Sequence, residues 1–299
     1  MRVLRSSLVL FGLALLASGC KPPNPALLAD AIYVGGPIVT VNDKQPSAEA
    51  LAVKGGKILA VGARADIEKA HRGKTTRMVD LAGKALLPGF IDGHAHAQQF
   101  GGQAVGANLL APPDGSVNTI DDVVAKLEAF AASPDAERTG WIFGVGYDDA
   151  LLGRHPTRAD LDRVSTTVPV MATHISGHFA AVNTLALKTI GYDATTPNPE
   201  GGVIRREADG KTPNGVLEEL AAIPHMLVAL TPTTQEGKDY FLKRGLELAK
   251  SFGYTTANEG RMFGPMHAVM EDAAKRGLLD IDFIGWMDYT GHSEIDKGF

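Results

Sequence analysis

Two histidines, His94 and His96, sit one residue apart at the end of "LLPGFIDGHAH", residues 86–96. On an extended strand, residues i and i+2 point to one face, about 6.6 Å apart along the chain. Two imidazoles so placed can converge on one cation at metal–nitrogen bonds of roughly 2.1 Å. The spacing alone also fits two structural histidines on a strand. Its surroundings favour metal chemistry. The run "KALLPGFID" would deliver the pair to the carboxyl end of a strand, where a (β/α) barrel builds its active site. Asp92 is close enough to orient a histidine ring or a bound water, and Gly89 and Gly93 let the backbone turn sharply.

Other residues could join such a site. His178, in "SGHF", is expected at a strand-to-helix junction, where a helix N-terminus disfavours the protonated ring. A neutral imidazole there could polarise a substrate carbonyl. His174, four residues earlier, lies in the strand-like "VPVMATHIS", so a helical metal pair with His178 is not expected. Asp148, after "GVGY", and Glu259, after "YTTAN", are expected to end barrel strands and line the pocket. Glu219 closes "GVLEE" with no role evident. His155, His225, His267 and His292 read most simply as surface or loop residues.

The elements that must position these residues follow from periodicity. From Asp30 to Asp80 the pattern is β-like, with "AIYVGGPIVTV" and "ALAVKGGKILAVG" reading as strands around Gly-Gly turns, then a short helix at "ADIEKAH". Beyond Gly101, strands alternate with helices, which indicates a parallel sheet. Helices are expected over 121–132, with Val123, Val124, Leu127 and Phe130 on one face, at "TRADLDRV" capped by Thr157, at "HFAAVNTLALKTI", and over 218–230, 234–251 and 265–276. Strands are expected at "GWIFGVGYDD", "VPVMATHIS", "YTTANE" and "DIDFIGWMDY", with a loop or hairpin excursion over 191–216. These supply four or five strand–helix units where a closed barrel needs eight, so the expectation is an incomplete barrel.

The first twenty residues, "MRVLRSSLVLFGLALLASGC", are a separate object. Two arginines precede an apolar run too short to span a bilayer of roughly 30 Å. The layout resembles a bacterial lipoprotein signal in which Cys20 is lipidated and becomes the N-terminus, with Lys21 favouring outer-membrane sorting in a Gram-negative host. Plain secretion or an uncleaved anchor is the alternative. "KPPNPA" then reads as a stiff tether. Cys20 is the one cysteine among 299 residues, so no intramolecular disulfide forms. A net charge of −5 gives no basic surface for nucleic acid. There is no G-x-S-x-G elbow, Walker loop or G-x-G-x-x-G, which sets aside serine-nucleophile and dinucleotide enzymes.

"LLPGFIDGHAH" also resembles the strand-one motif of the metal-dependent amidohydrolase superfamily. "GWIFGVGYDD", "HPTRADLDRVSTTVPVMATHISGHFAAVNTLAL", "NPEGGVIRREADGKTPNGVLEE" and "GYTTANEG" are similar to successive blocks of its amidohydrolase family 3 branch, covering about residues 28–299. The resemblance implies the N-terminal part of a TIM-like metallo-hydrolase barrel over 84–299, preceded over 28–83 by part of a composite β-sandwich. It implies one or two divalent ions, with zinc first, held by His94 and His96, and cleavage of non-peptide C–N bonds in amide, N-formyl or N-acyl substrates. The family's further histidines, bridging lysine and late-strand aspartate have no counterpart here. The expectation is therefore an envelope-located, lipid-anchored amidohydrolase, inactive as this chain alone. The alternative is a non-catalytic metal- or ligand-binding lipoprotein; neither reading fixes the oligomeric state.

Overall fold

The computed structural model describes residues 25–288, so Cys20, His292, the signal-like segment and most of the tether lie outside it. The chain divides between Pro88 and Gly89 into two units. In the first, β1 (Ala31–Val39), β2 (Ser47–Lys54), β3 (Lys57–Gly62) and β4 (Arg77–Asp80) form a sheet in the order β3-β2-β1-β4, with helix α1 (Arg64–His71) between β3 and β4. Strand β1 runs antiparallel to β2 and parallel to β4. Ile32, Val34, Ala50, Ala52 and Ile67 form the core. Only one of the two Gly-Gly pairs makes a turn. Gly55-Gly56, with φ of 54° and 73°, joins β2 to β3. Gly35-Gly36 instead lies inside β1 at a register shift, where a Cβ on Gly36 would collide with the Lys84 carbonyl and one on Gly35 with the Asp80 carboxylate. Close approach of the chain, rather than a reversal, requires those two glycines.

The second unit opens with β5 (Phe90–Ile91), α2 (Phe100–Val105), β6 (Ala107–Asn108), α3 (Ile120–Ala131), β7 (Ile142–Tyr147), α4 (Asp149–Leu152) and α5 (Arg158–Leu161). Then come β8 (Val170–His174), β9 (Phe179–Val182), α6 (Thr184–Ile190), β10 (Gly202–Arg206), β11 (Pro213–Glu219) and α7 (Ile223–Ala229). It closes with α8 (Gln235–Ser251), β12 (Tyr254–Met262), α9 (Gly264–Lys275) and β13 (Asp282–Met287). Among the described residues no helix is long and apolar enough to cross a membrane.

The strands form two sheets. One has the order β10-β11-β9-β8-β7-β6; its β6, β7 and β8 run parallel, whereas β8-β9-β11-β10 is antiparallel. The other, β13-β12-β5, is parallel throughout. Helix α3 buries Val123, Val124, Leu127 and Phe130, as its 3.6-residue period requires, and opens with a Thr119–Asp122 capping box. Phe130 meets Phe143 of β7 edge-on at 5.0 Å, and Phe241 of α8 lies beyond at 6.3 Å from Phe143.

Two expected helices are shortened by strand pairing. "HFAAVNTLALKTI" begins as β9, because Ala180 and Ala181 pair on both sides, with Thr173 and Ala172 of β8 and with Leu217 and Val216 of β11. The expected helix over 218–230 starts only at Ile223, since Glu218 and Glu219 belong to β11. Small and β-branched residues flanked on both edges gain more from ladder bonds and burial than from helix propensity.

Asn183, fully buried, sets the junction of β9 and α6. Its Oδ1 accepts from the amides of Val170 at 3.1 Å and Ala186 at 2.8 Å, and its Nδ2 donates to the carbonyls of Ser165 at 2.7 Å and Val168 at 3.0 Å. Asn183→Ala leaves four backbone groups without their partner and should cost roughly 3 kcal/mol or more. Asn183→Asp should also destabilise, because it sets an oxygen against two carbonyls. Urea titration of both variants checks this; a wild-type midpoint for either would refute it.

Candidate functional site

Strand β5 places the two histidines by pairing with β12. Phe90 and Ile91 register against Tyr254 and Thr256, and the Asp92 amide donates to the Thr256 carbonyl at 3.0 Å. Beyond the strand end, His96 and Glu259 form an antiparallel bridge, and the Gly260 amide donates to the Ala95 carbonyl at 2.7 Å. The imidazoles of His94 and His96 stand edge to face, 5.7 Å between centroids. His96 Nδ1 lies 2.9 Å from Glu259 Oε1; the carboxylate side chain is 1% exposed and the imidazole 45%. An ionised carboxylate only accepts, so this contact puts the ring proton on Nδ1 and leaves the Nε2 lone pair for a ligand. A Cβ on Gly260 would stand 2.7 Å from His94 Cε1 and 2.9 Å from its Nδ1, so the missing side chain makes room for that ring.

Asp92, expected to orient a ring or a bound water, contacts the backbone of His94. Its Oδ1 accepts the His94 amide at 3.1 Å and fixes the backbone. Glu259, expected only to line a pocket, is the residue that holds a ring. Two imidazoles offer nitrogen donors suited to a divalent first-row ion, with Glu259 behind His96 rather than beside the ion, and the His96 tautomer fits that use.

A second cluster stands at the carboxyl ends of β7 and β8, on the other sheet. Tyr147 registers against His174, which brings Asp148 and Asp149 beside it. Among the described residues, Asp148, Asp149 and His174 are the group whose donor atoms all lie within 4.8 Å of one another. His174 Nε2 reaches Asp149 Oδ1 at 3.0 Å while its Nδ1 accepts the Ser176 amide at 3.1 Å. Asp148 caps α4 by accepting the Ala150 amide. His155, expected at the surface, has a side chain only 10% exposed, 3.6 Å from Asp149 Oδ2, with Nδ1 3.0 Å from the Tyr147 hydroxyl. Burial holds the His155 ring below the ordinary histidine range, and burial, then Asp149, pushes the Tyr147 phenol up. Tyr147 therefore donates to His155.

His178 departs from expectation too. It lies in the turn between β8 and β9, with no helix N-terminus at it, and its Nδ1 meets Glu219 Oε2 at 2.8 Å. His225 is half-buried against the Tyr192 hydroxyl at 3.2 Å, and His267 lies on α9.

Comparison with known proteins matches the amidohydrolase family to residues 77–298. The chain belongs to the amidohydrolase family. It is 33% identical to the exoenzymes regulatory protein AepA of Pectobacterium carotovorum subsp. carotovorum, over 85% of this chain and 54% of that protein. To the N-substituted formamide deformylase of Arthrobacter pascens it is 31% identical, over 65% of this chain and 35% of the relative. It thus spans about half, or less, of the length of these curated relatives. An uncharacterized metal-dependent hydrolase from Pyrococcus furiosus shares the fold at a TM-score of 0.61 and 18% identity, over 89% of this chain and 52% of that one.

Within this amidohydrolase chain the expected residues fall into three places. His94, His96, Asp92 and Glu259 meet at the β5–β12 pairing. Asp148 joins His174, and His178 joins Glu219. Sequence reasoning did not name Asp149 and set His155 and His174 aside, although "GYDD" and "MATH" both end apolar strands and adjacent parallel strands bring such ends together. Burial also lowers His225. Both lowered histidines are protonated more readily unfolded, so their contribution to stability is present above the ordinary value of 6.5 and lost as pH falls below it. Chemical denaturation between pH 7.5 and 5.5 should show that loss. His155→Gln should shrink the slope without abolishing it; an unchanged slope would count against the His155 assignment.

Proposed function

We propose that this chain is part of a metal-dependent hydrolase of non-peptide C–N bonds, with His94 and His96 holding a divalent ion. The His96–Glu259 contact beside His94 carries the reading, because it fixes one imidazole in a ligating tautomer and sets a buried carboxylate behind it. Amide-type substrates, N-formyl or N-acyl, follow from family membership and from the name of the deformylase relative. A divalent ion bound there would acidify a water and polarise the scissile carbonyl. Glu259 orients His96, Asp92 ties down the His94 backbone, and Gly260 admits the His94 ring. Zinc suits this donor set and is the first ion to test.

The parallel sheet β13-β12-β5 fits one arc of a (β/α)8 barrel, with the six-stranded sheet carried on the chain between its first two strands. Ile91, Ile284 and Trp286 remain exposed on it, apolar surface that further barrel elements would cover in a protein as long as the relatives.

Elemental analysis of the protein at its relatives' full length should find bound metal that His94→Ala or His96→Ala largely removes, with the melting temperature little changed in the first and lowered in the second, which leaves the buried Glu259 carboxylate without its imidazole. Glu259→Ala should weaken metal affinity about 10- to 100-fold, the usual cost of losing a partner behind a ligand. Gly260→Ala should do likewise by displacing the His94 ring. Full metal content in both histidine variants would refute the assignment.

We also propose that Cys20 is lipidated and tethers the protein to the periplasmic side of a bacterial envelope membrane, the outer membrane in a Gram-negative host. Two or three acyl chains hold firmly where one is marginal. Mass spectrometry of membrane-extracted protein should find a diacylglyceryl cysteine at the mature N-terminus. A mature chain starting elsewhere, or without lipid, would overturn this.

A further inference from the structure

Glu219 carries a backbone strain that its stability contribution does not explain. Its φ is 49°, the left-handed region that L-residues avoid and that glycine or asparagine usually fills. It is held there from both sides. Its amide donates to the His178 carbonyl at 2.8 Å, and its own carbonyl accepts the Ala222 amide at 2.8 Å. What the geometry achieves is the 2.8 Å contact of Glu219 Oε2 with His178 Nδ1, between side chains 50% and 56% exposed. An ion pair so open to water stabilises the fold little. Strained residues held by surrounding structure cluster at binding and catalytic sites, so the observed outlier points to function.

The contact fixes chemistry. A carboxylate only accepts, so Nδ1 of His178 carries a proton, and in the neutral ring Nε2 is the acceptor. The imidazole also stands on a rigid base. The His178 amide donates to Ser176 Oγ at 3.2 Å. The next residue, Phe179, stacks on His155 at 5.3 Å and 27° and meets His174 edge-on at 5.4 Å. The Arg205 guanidinium lies 6.0 Å over that same phenyl ring and pairs with the Glu218 carboxylate. A ligand here meets one imidazole acceptor, the complement of an amide's N–H.

We propose that His178 Nε2 accepts a hydrogen bond from the N–H of a secondary amide, and that Glu219 is the positioning residue that holds the ring for it. The choice of an amide rests on the hydrolase reading; the site itself rests on Glu219 and His178. The test uses the full-length protein, 15N-labelled, with the imidazole resonances of His178 assigned by their loss in His178→Gln. N-methylformamide, which has an N–H, should move the Nε2 resonance upfield. N,N-dimethylformamide, which lacks one, should not. Glu219→Ala should abolish the response, and Glu219→Gln, whose side-chain oxygen still accepts from Nδ1, should keep it. Glu219→Gly should melt at or above wild type, since glycine relieves the strain, yet lose the response; a merely structural role for Glu219 predicts a lower melt instead. No shift with N-methylformamide, equal shifts with both probes, or an unaltered response in Glu219→Ala overturns the proposal. Turnover separates the two readings: the shift without formamide hydrolysis refutes the hydrolase and leaves this site, and hydrolysis without the shift does the reverse.

Discussion

The carboxylate of Glu259 is buried beneath an exposed imidazole, and much of the candidate metal site depends on that one arrangement. A carboxylate removed from water is costly unless hydrogen-bonded. Glu259 meets that requirement in part through His96 Nδ1 and the Arg261 amide, so folding of β12 and orientation of the ring are coupled. The partners are 163 residues apart, and the chain between them builds a six-stranded sheet with its own core before returning. Pairing of β5 with β12 is what makes the site local.

That separation explains which parts were legible. Helix α3 and its buried face follow from a 3.6-residue period and a cap, both written within fifteen residues. The His94–Ala95–His96 spacing is equally local, and strands at "IFGVGY" and "YTTANE" are plain from apolar runs. The sheet to which each strand belongs is not, because β7 and β12 both read as buried apolar segments while their neighbours are set by partners far along the chain. Asp148 and Glu259 therefore looked like equivalent strand-end residues of one barrel, although the first lies by the six-stranded sheet and the second in the parallel one. The β9 segment was hidden for the same reason. "FAAV" carries helix-compatible residues, and only its two flanking strands decide against the helix.

Polar side chains show a related limit. Asp92 was expected to orient a ring or a bound water, and one of its oxygens holds a backbone amide, since a carboxylate two residues before His94 reaches that amide most directly. Asn183 gave no signal in the sequence, yet its four bonds tie the start of β8, the cap of α6 and the loop before them. His155 read as a surface residue because "GRHPT" looks like a loop. Its burial arises from Tyr147 and Phe179, which belong to other strands. In each case the residue type was visible and the partner was not.

The two carboxylate–histidine contacts of this chain differ in a way that separates their tasks. At His96 the carboxylate is buried and the strands that hold it are regular, so the contact is built into the sheet and its loss should disturb both ring and strand. At His178 the carboxylate is open to water and the backbone that presents it is strained, so the fold gains little from the contact and gives up conformational freedom to keep it. A buried partner with relaxed backbone suits a ring whose place must not change while an ion is held. An exposed partner with a strained backbone suits a ring that must face solvent and exchange ligands while keeping one tautomer. The first arrangement suits the proposed ligand of a bound ion, the second the proposed contact with a passing substrate.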